Sequence, residues 1–113
     1  MKQYLNETQT AKLIELGFEK PKSIIYASAY QEEEGAAPDV EYEYAYSIGD
    51  LIEMLMKVNG VKIPFESMHG GRLKLIVKRL VDNKWDILYG KVGKELIDLL
   101  LDATVKLKEG GVI

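Results

Sequence analysis

The spacing of apolar and polar positions changes several times along the chain, and each change marks an element. Leu13, Ile14 and Leu16 supply an apolar side, and Asn6 followed three residues later by Gln9 is a capping-box pattern. Gly17 and then Pro21 are stop signals, so a short helix is predicted over residues 7 to 16. The stretch Ser23-Ile24-Ile25-Tyr26-Ala27-Ser28-Ala29-Tyr30 is rich in β-branched and aromatic side chains and reads as a strand. From Val40 to Tyr46 the alternation is strict, with Val40, Tyr42, Tyr44 and Tyr46 on one face and Glu41, Glu43 and Ala45 on the other. These two runs predict a hairpin. Between them, residues 31 to 39 combine adjacent acidic charges with Gly and Pro, which predicts a flexible acidic loop.

A second helix is predicted over residues 48 to 58. Ser47 is its N-cap, Asp50 sits at the positive end of its dipole, Tyr46 can staple onto Leu51, and Asn59-Gly60 ends it. The run Leu73 to Val81 satisfies both periods: Leu73, Ile76, Val77 and Leu80 fit a helical face, while Leu73, Leu75, Val77 and Val81 fit a strand. The turn-forming cluster Asp82-Asn83-Lys84 and the returning run Trp85-Asp86-Ile87-Leu88-Tyr89 decide for a second hairpin. A last amphipathic helix, about residues 94 to 108, places Ile97, Leu100, Leu101, Thr104 and Leu107 on one side, with Gly93 as a candidate start cap and Gly110-Gly111 at its end. The expected fold is α+β, a four-stranded, mainly antiparallel sheet of two hairpins with three helices, in the order α-β-β-α-β-β-α. Residues 1 to 113 are expected to form one domain.

Composition narrows the function classes. With 47% hydrophobic and 29% charged residues the chain is globular in type, and a formal charge of −3 gives no global attraction to nucleic acid or anionic membrane. The absence of cysteine excludes disulfides and thiolate chemistry. An opening segment that turns polar at once, and apolar runs no longer than Leu99-Leu100-Leu101, point to a cytoplasmic protein with no membrane partner.

Candidate chemistry is sparse. His69 is the single histidine, which leaves no paired-imidazole metal site and no histidine relay. Met68-His69-Gly70-Gly71-Arg72 reads as a turn, with an anion nest as the sharper alternative. Gly90-Lys91-Val92-Gly93-Lys94 fails as a Walker A loop, having Leu88 where the first glycine belongs and Glu95 where Ser or Thr belongs. Asp98 and Asp102, four apart on one helical face, could hold a divalent cation but read better as a solvated surface. No catalytic, cofactor or metal residue is nominated, and no cofactor is expected.

Two surfaces carry the binding expectations. The tyrosines Tyr26, Tyr30, Tyr42, Tyr44 and Tyr46 lie on two strands that should pair, and if part of that face is exposed Tyr26, Tyr42 and Tyr44 can bind a partner. Residues 31 to 43 hold six acids and no base, whereas Arg72, Lys74, Lys78, Arg79 and Lys84 crowd the second hairpin beside Trp85. Such a basic strand suits nucleic-acid phosphates with Trp85 or Tyr89 as a stacking group, intermolecular pairing with the acidic hairpin, or simply a lysine-protected sheet edge.

Three stretches, Tyr46-Ser47-Ile48-Gly49-Asp50-Leu51-Ile52-Glu53-Met54-Leu55, Trp85-Asp86-Ile87-Leu88-Tyr89 and Glu95-Leu96-Ile97-Asp98-Leu99-Leu100, together with the opening Leu16-Gly17, resemble a group of small uncharacterised proteins of gut Bacteroidetes genomes and their phages. The resemblance runs from roughly Leu5 to Gly110 and departs at Leu99 and Val105-Lys106, where such proteins often carry Ala and an aromatic. It implies a mobile-element context and no reaction. The expectation is a non-enzymatic accessory or protein-interaction module that binds another protein or itself, a homodimer being one form of the latter. Nucleic-acid binding through residues 72 to 89 is the alternative.

Overall fold

The computed structural model describes residues 2–30, 35 and 39–113, with side chains left aside at 26–30 and 39–41. Its elements are α1 (Glu7–Glu15), β1 (Ser23–Tyr30), β2 (Asp39–Ala45), α2 (Ile48–Met56), β3 (Val61–Lys62), β4 (Phe65–Met68), β5 (Arg72–Val81), β6 (Lys84–Gly93) and α3 (Leu96–Glu109). The fold is α+β, with three helices and two antiparallel sheets among the described residues.

Local chemistry accounts for the first two helices. Asn6 accepts from the Gln9 backbone N–H while the Gln9 side chain accepts from Asn6 N–H, a complete capping box, and Ser47 and Asp50 build the same reciprocal pair at α2. At the end of α1 the chain turns on Gly17 at φ +97°, and the N–H groups of Gly17 and Phe18 bond back to Ile14 and Leu13. At α3 the expected Gly93 start cap is not formed. Gly93 is the last residue of β6, and Glu95 holds the N-cap position without a side-chain cap bond, its carboxylate accepting instead from Lys2 N–H at 3.1 Å.

The second hairpin forms as expected, and the helical alternative for residues 73 to 81 is excluded. Asp82 and Asn83 both take positive φ, +50° and +63°, in a two-residue turn whose hand matches the twist of the strands. The strand count differs from expectation, with six among the described residues in place of four. The two hairpins also do not share a sheet: β1 and β2 form a two-stranded ribbon, while β5 pairs with β6 on one side and with both β3 and β4 on the other. The short β3 and β4 strands exist because β5 offers them a free edge; neither is long enough to show a period. The acidic loop expected at 31 to 39 lies outside the described residues, apart from Gly35 and from Asp39, which begins β2.

All three helices gather on one face of the larger sheet. Ile97, Leu100, Ala103 and Thr104 of α3 are fully buried, with Leu13 of α1, Leu51 and Leu55 of α2, and Leu75 and Val77 of β5. The Thr104 hydroxyl donates to the Leu100 carbonyl at 2.7 Å, so burying it leaves no orphan group. A compact chain of this length has a radius of gyration of about 13 Å. The observed value is 17.8 Å and the extents are 65 × 34 × 21 Å, so the chain is elongated.

Candidate binding surface

Alternation along β5 decides which side chains meet the helices. Leu75 and Val77 are fully buried beneath them, so Lys74, Ile76, Lys78 and Leu80 occupy the opposite, helix-free face. Cross-strand register extends that face: Val92 lies opposite Lys74, Ile87 opposite Lys78, Trp85 opposite Leu80, Lys62 of β3 opposite Lys78, and Glu66 of β4 opposite Lys74. A bulge at Leu88 lets both halves of β6 keep this arrangement, turning Tyr89 to the core beside Val77 while Ile87 stays outside.

The face is apolar and basic at once. Ile87 is 66% exposed, Trp85 44% and Leu80 45%, large values for side chains of their type. The Lys78 ammonium stands 4.7 Å from the Trp85 ring centroid and that of Lys62 5.4 Å, contacts that hold two cations on one aromatic surface. From Lys74 to Leu80 the strip runs about 20 Å along β5.

The structure divides the basic set. Lys74, Lys78 and Trp85 share the helix-free face, and alternation puts Arg72 at its far end opposite Met68. Arg79 falls on the other face, where it meets Asp86 at 3.8 Å and its buried Nε has no hydrogen-bond partner. Lys62, Leu80, Ile87 and Val92 complete the face beyond the residues expected from the sequence. Ile87 was legible, since it shares the parity of Trp85 on one strand; Lys62 was not, because β3 leaves no pattern.

The tyrosines separate too. Tyr46 is buried, its hydroxyl donating to the Glu19 carbonyl, whereas Tyr42 and Tyr44 are half exposed with ring centroids 6.3 Å apart. A bulge at Ile25 sets the register so that Tyr42 and Tyr44 stand opposite Ala27 and Ile24, and Tyr26 opposite Glu43, so no tyrosine is paired directly across the ribbon. The Tyr26 and Tyr30 side chains lie outside the described residues.

The remaining candidates resolve into structure. Gly90 to Gly93 is paired strand and not a loop, since Gly90 lies opposite Ile76 and Gly93 opposite Leu73. His69 is exposed in the β4–β5 turn beside Gly70 and Gly71. Asp98 accepts from Lys2 at 2.8 Å, and Asp102 from the Tyr89 hydroxyl at 2.8 Å with Lys91 and Lys106 at 3.4 and 3.5 Å, so both carboxylates are already engaged by lysines. Burial alone would raise the Asp102 carboxyl, but the bonds from Tyr89 and Lys91 and the nearby Lys106 charge hold it below its usual range. Burial, then the Asp102 bond and charge, push the Tyr89 phenol well up. Burial likewise opposes ionisation of Asp50, yet the Ser47 N–H and the Ser23 and Ser47 hydroxyls lower it.

Among the described residues no three His, Asp or Glu side chains are grouped to hold a metal ion. A cleft of about 130 Å³ lies between Phe18, Tyr46, Asp50, Glu53 and Met54. No described helix is long and apolar enough to cross a membrane. No protein-family model, curated protein or solved structure matches the chain.

Proposed function

We propose that the protein is a non-enzymatic protein-interaction module that binds its partner through the helix-free face of the β3–β6 sheet. The exposed Trp85, Ile87 and Leu80, framed by Lys62, Lys74 and Lys78, carry this reading. Aromatic and aliphatic anchors beside long cationic stems match the composition of interface centres, and the lysines select a partner surface with carboxylates next to apolar groups. The resemblance to proteins of gut Bacteroidetes and their phages adds a mobile-element context, and the cytoplasm is the proposed compartment.

Nucleic acid is the second reading, favoured by Lys62 and Lys78 lying over Trp85, since a base stacked on the indole would put its phosphates near both ammoniums. Against it, Arg79 is turned to the opposite face and paired with Asp86.

Trp85 is the single tryptophan, so its emission reports on the proposed surface alone. A partner captured from cell extract, purified and titrated back should shift Trp85 emission to shorter wavelength, and Ile87→Asp should abolish both the shift and the capture. A partner held equally by Ile87→Asp, or one that leaves Trp85 unmoved, refutes the sheet face. Quenching by a single-stranded oligonucleotide, lost steeply between low and moderate salt and lost in Lys78→Glu, decides for the second reading.

A further inference from the structure

We infer that the outer edge of β6 pairs with β6 of a second copy, joining the two larger sheets into one antiparallel sheet about a two-fold axis beside Leu88 and Tyr89. The edge is available. β6 bonds to β5 on one side, and among the described residues no strand pairs with its other side. An unpaired edge of this length offers its N–H and C=O groups to another strand. The order of bonds, faces and charges along β6 decides which strand.

Backbone direction comes first. The N–H groups of Leu80 and Ile76 on β5 donate to the Gly60 and Pro64 carbonyls, on the side away from β6. By alternation Val81, Arg79, Val77, Leu75 and Leu73 direct their groups to β6, where they occupy Lys84, Asp86, Tyr89, Lys91 and Gly93. Trp85, Ile87, Gly90 and Val92 are left to direct theirs outward. Side chains follow the same division. Those four residues lie on the helix-free face and the rest of β6 on the helix side, because the bulge puts Leu88 and Tyr89 there together. Read from either end, β6 thus presents the same order of bonds and faces, and a strand with that symmetry matches a two-fold copy of itself. Trp85 then meets Val92 and Ile87 meets Gly90 as hydrogen-bonded pairs, each twice.

Charge selects this register over the alternatives. Faces also stay matched about an axis at Asp86 or at Lys91, over residues 84–88 or 89–93 alone, but those axes set Asp86 against Asp86 or Lys91 against Lys91. The central axis sets Asp86 against Lys91 at both ends and opposes no like charges. Both side chains are more than half exposed and free to meet. Leu101 and Val105 of α3 line an open cleft with Lys91, so apolar helix surface stands beside the same edge and adds to the backbone bonds. Joined in this way, the helix-free faces of two copies form one continuous surface with Trp85 and Val92 at the seam.

Exchanging the charges tests the register itself. Sedimentation equilibrium of the wild type should give twice the chain mass of 12.8 kDa. Asp86→Lys and Lys91→Asp should each weaken the dimer about tenfold or more, since each opposes like charges at both ends. Mixed in equal amounts the two variants should dimerise as the wild type does, because every contact between them again joins opposite charges, a recovery that misfolded chains cannot give. Val92→Pro removes an outward N–H and spares the β5 ladder, so it should be monomeric with an unchanged circular dichroism spectrum. A wild type that stays monomeric at every concentration, or a dimer that persists in both charge variants and in Val92→Pro, overturns the edge pairing. Charge variants that are monomeric apart and remain so when mixed overturn the register. A monomeric wild type that still captures its partner through Trp85 and Ile87 removes the edge pairing and leaves the sheet-face function standing.

Discussion

The Tyr89 hydroxyl donates to Asp102 Oδ2 at 2.8 Å, and this bond fastens the edge strand β6 to the central helix α3. Lys91 and Lys106 converge on the same oxygen from strand and helix, so the carboxylate joins two elements that otherwise meet through apolar contact. Removing the hydroxyl in Tyr89→Phe keeps the ring and leaves Asp102 with its lysines. A loss of ~1–2 kcal/mol in urea unfolding is expected. An unchanged midpoint would show that the bond does not hold the edge.

Stability should fall at both ends of the pH scale. Asp50 and Asp102 bind a proton less readily folded than unfolded, so their contribution is whole above the unfolded carboxyl value, near pH 4, and is lost as pH falls through the folded values. Tyr89 and Tyr46 behave in the opposite sense. Their phenols are raised on folding, so the stability they supply is whole below about pH 10 and is lost as pH rises beyond it. Urea unfolding measured across pH should therefore show a plateau with a fall on each side, and Tyr89→Phe should shrink the alkaline fall. The same alkaline fall in both proteins would contradict the assignment.

Core and face should respond very differently to substitution. Leu100 has no exposed surface, so Leu100→Ala leaves a cavity beneath α3 and should cost ~2–5 kcal/mol. That is a large part of the ~5–15 kcal/mol that a domain of this size holds. Ile87→Asp, on the open side of the sheet, should cost under ~1 kcal/mol. Thermal unfolding of the two variants checks this, and a severe loss in Ile87→Asp would mean that the face is covered within the chain itself.

The β5–β6 turn offers a test of backbone chemistry. Asn83 sits at φ +63°, where a β-branched side chain meets its own backbone, so Asn83→Val should destabilise by ~1–2 kcal/mol. Asn83→Gly should be neutral or slightly stabilising. Denaturant midpoints of the pair distinguish this from a general effect of altering the turn, in which both would be lowered alike.

Much of this architecture is legible in the linear order of residues because it is driven by neighbours. The Asn6–Gln9 and Ser47–Asp50 boxes fix two helix starts within four residues each, and the Asp82-Asn83 turn flanked by apolar runs fixes the second hairpin. Other features depend on partners distant along the chain. β3 has two residues and β4 four, and both are strands only because β5 offers hydrogen bonds along its free edge. The start of α3 shifted for a related reason: Gly93 is held in β6 opposite Leu73, and a Cβ there would stand 2.9 Å from the Leu99 side chain.

For the surfaces the division is the same. Composition alone establishes an acidic first hairpin and a basic second one, and alternation alone separates odd from even positions on β5. Only the packing of α3 decides that Leu75 and Val77 point inward, which sends Lys74 and Lys78 outward with Trp85 and leaves Arg79 on the far side with Asp86. A strand's period is a property of its own covalent geometry, but which of its two faces is buried depends on the element that covers it, and that element lies elsewhere in the chain.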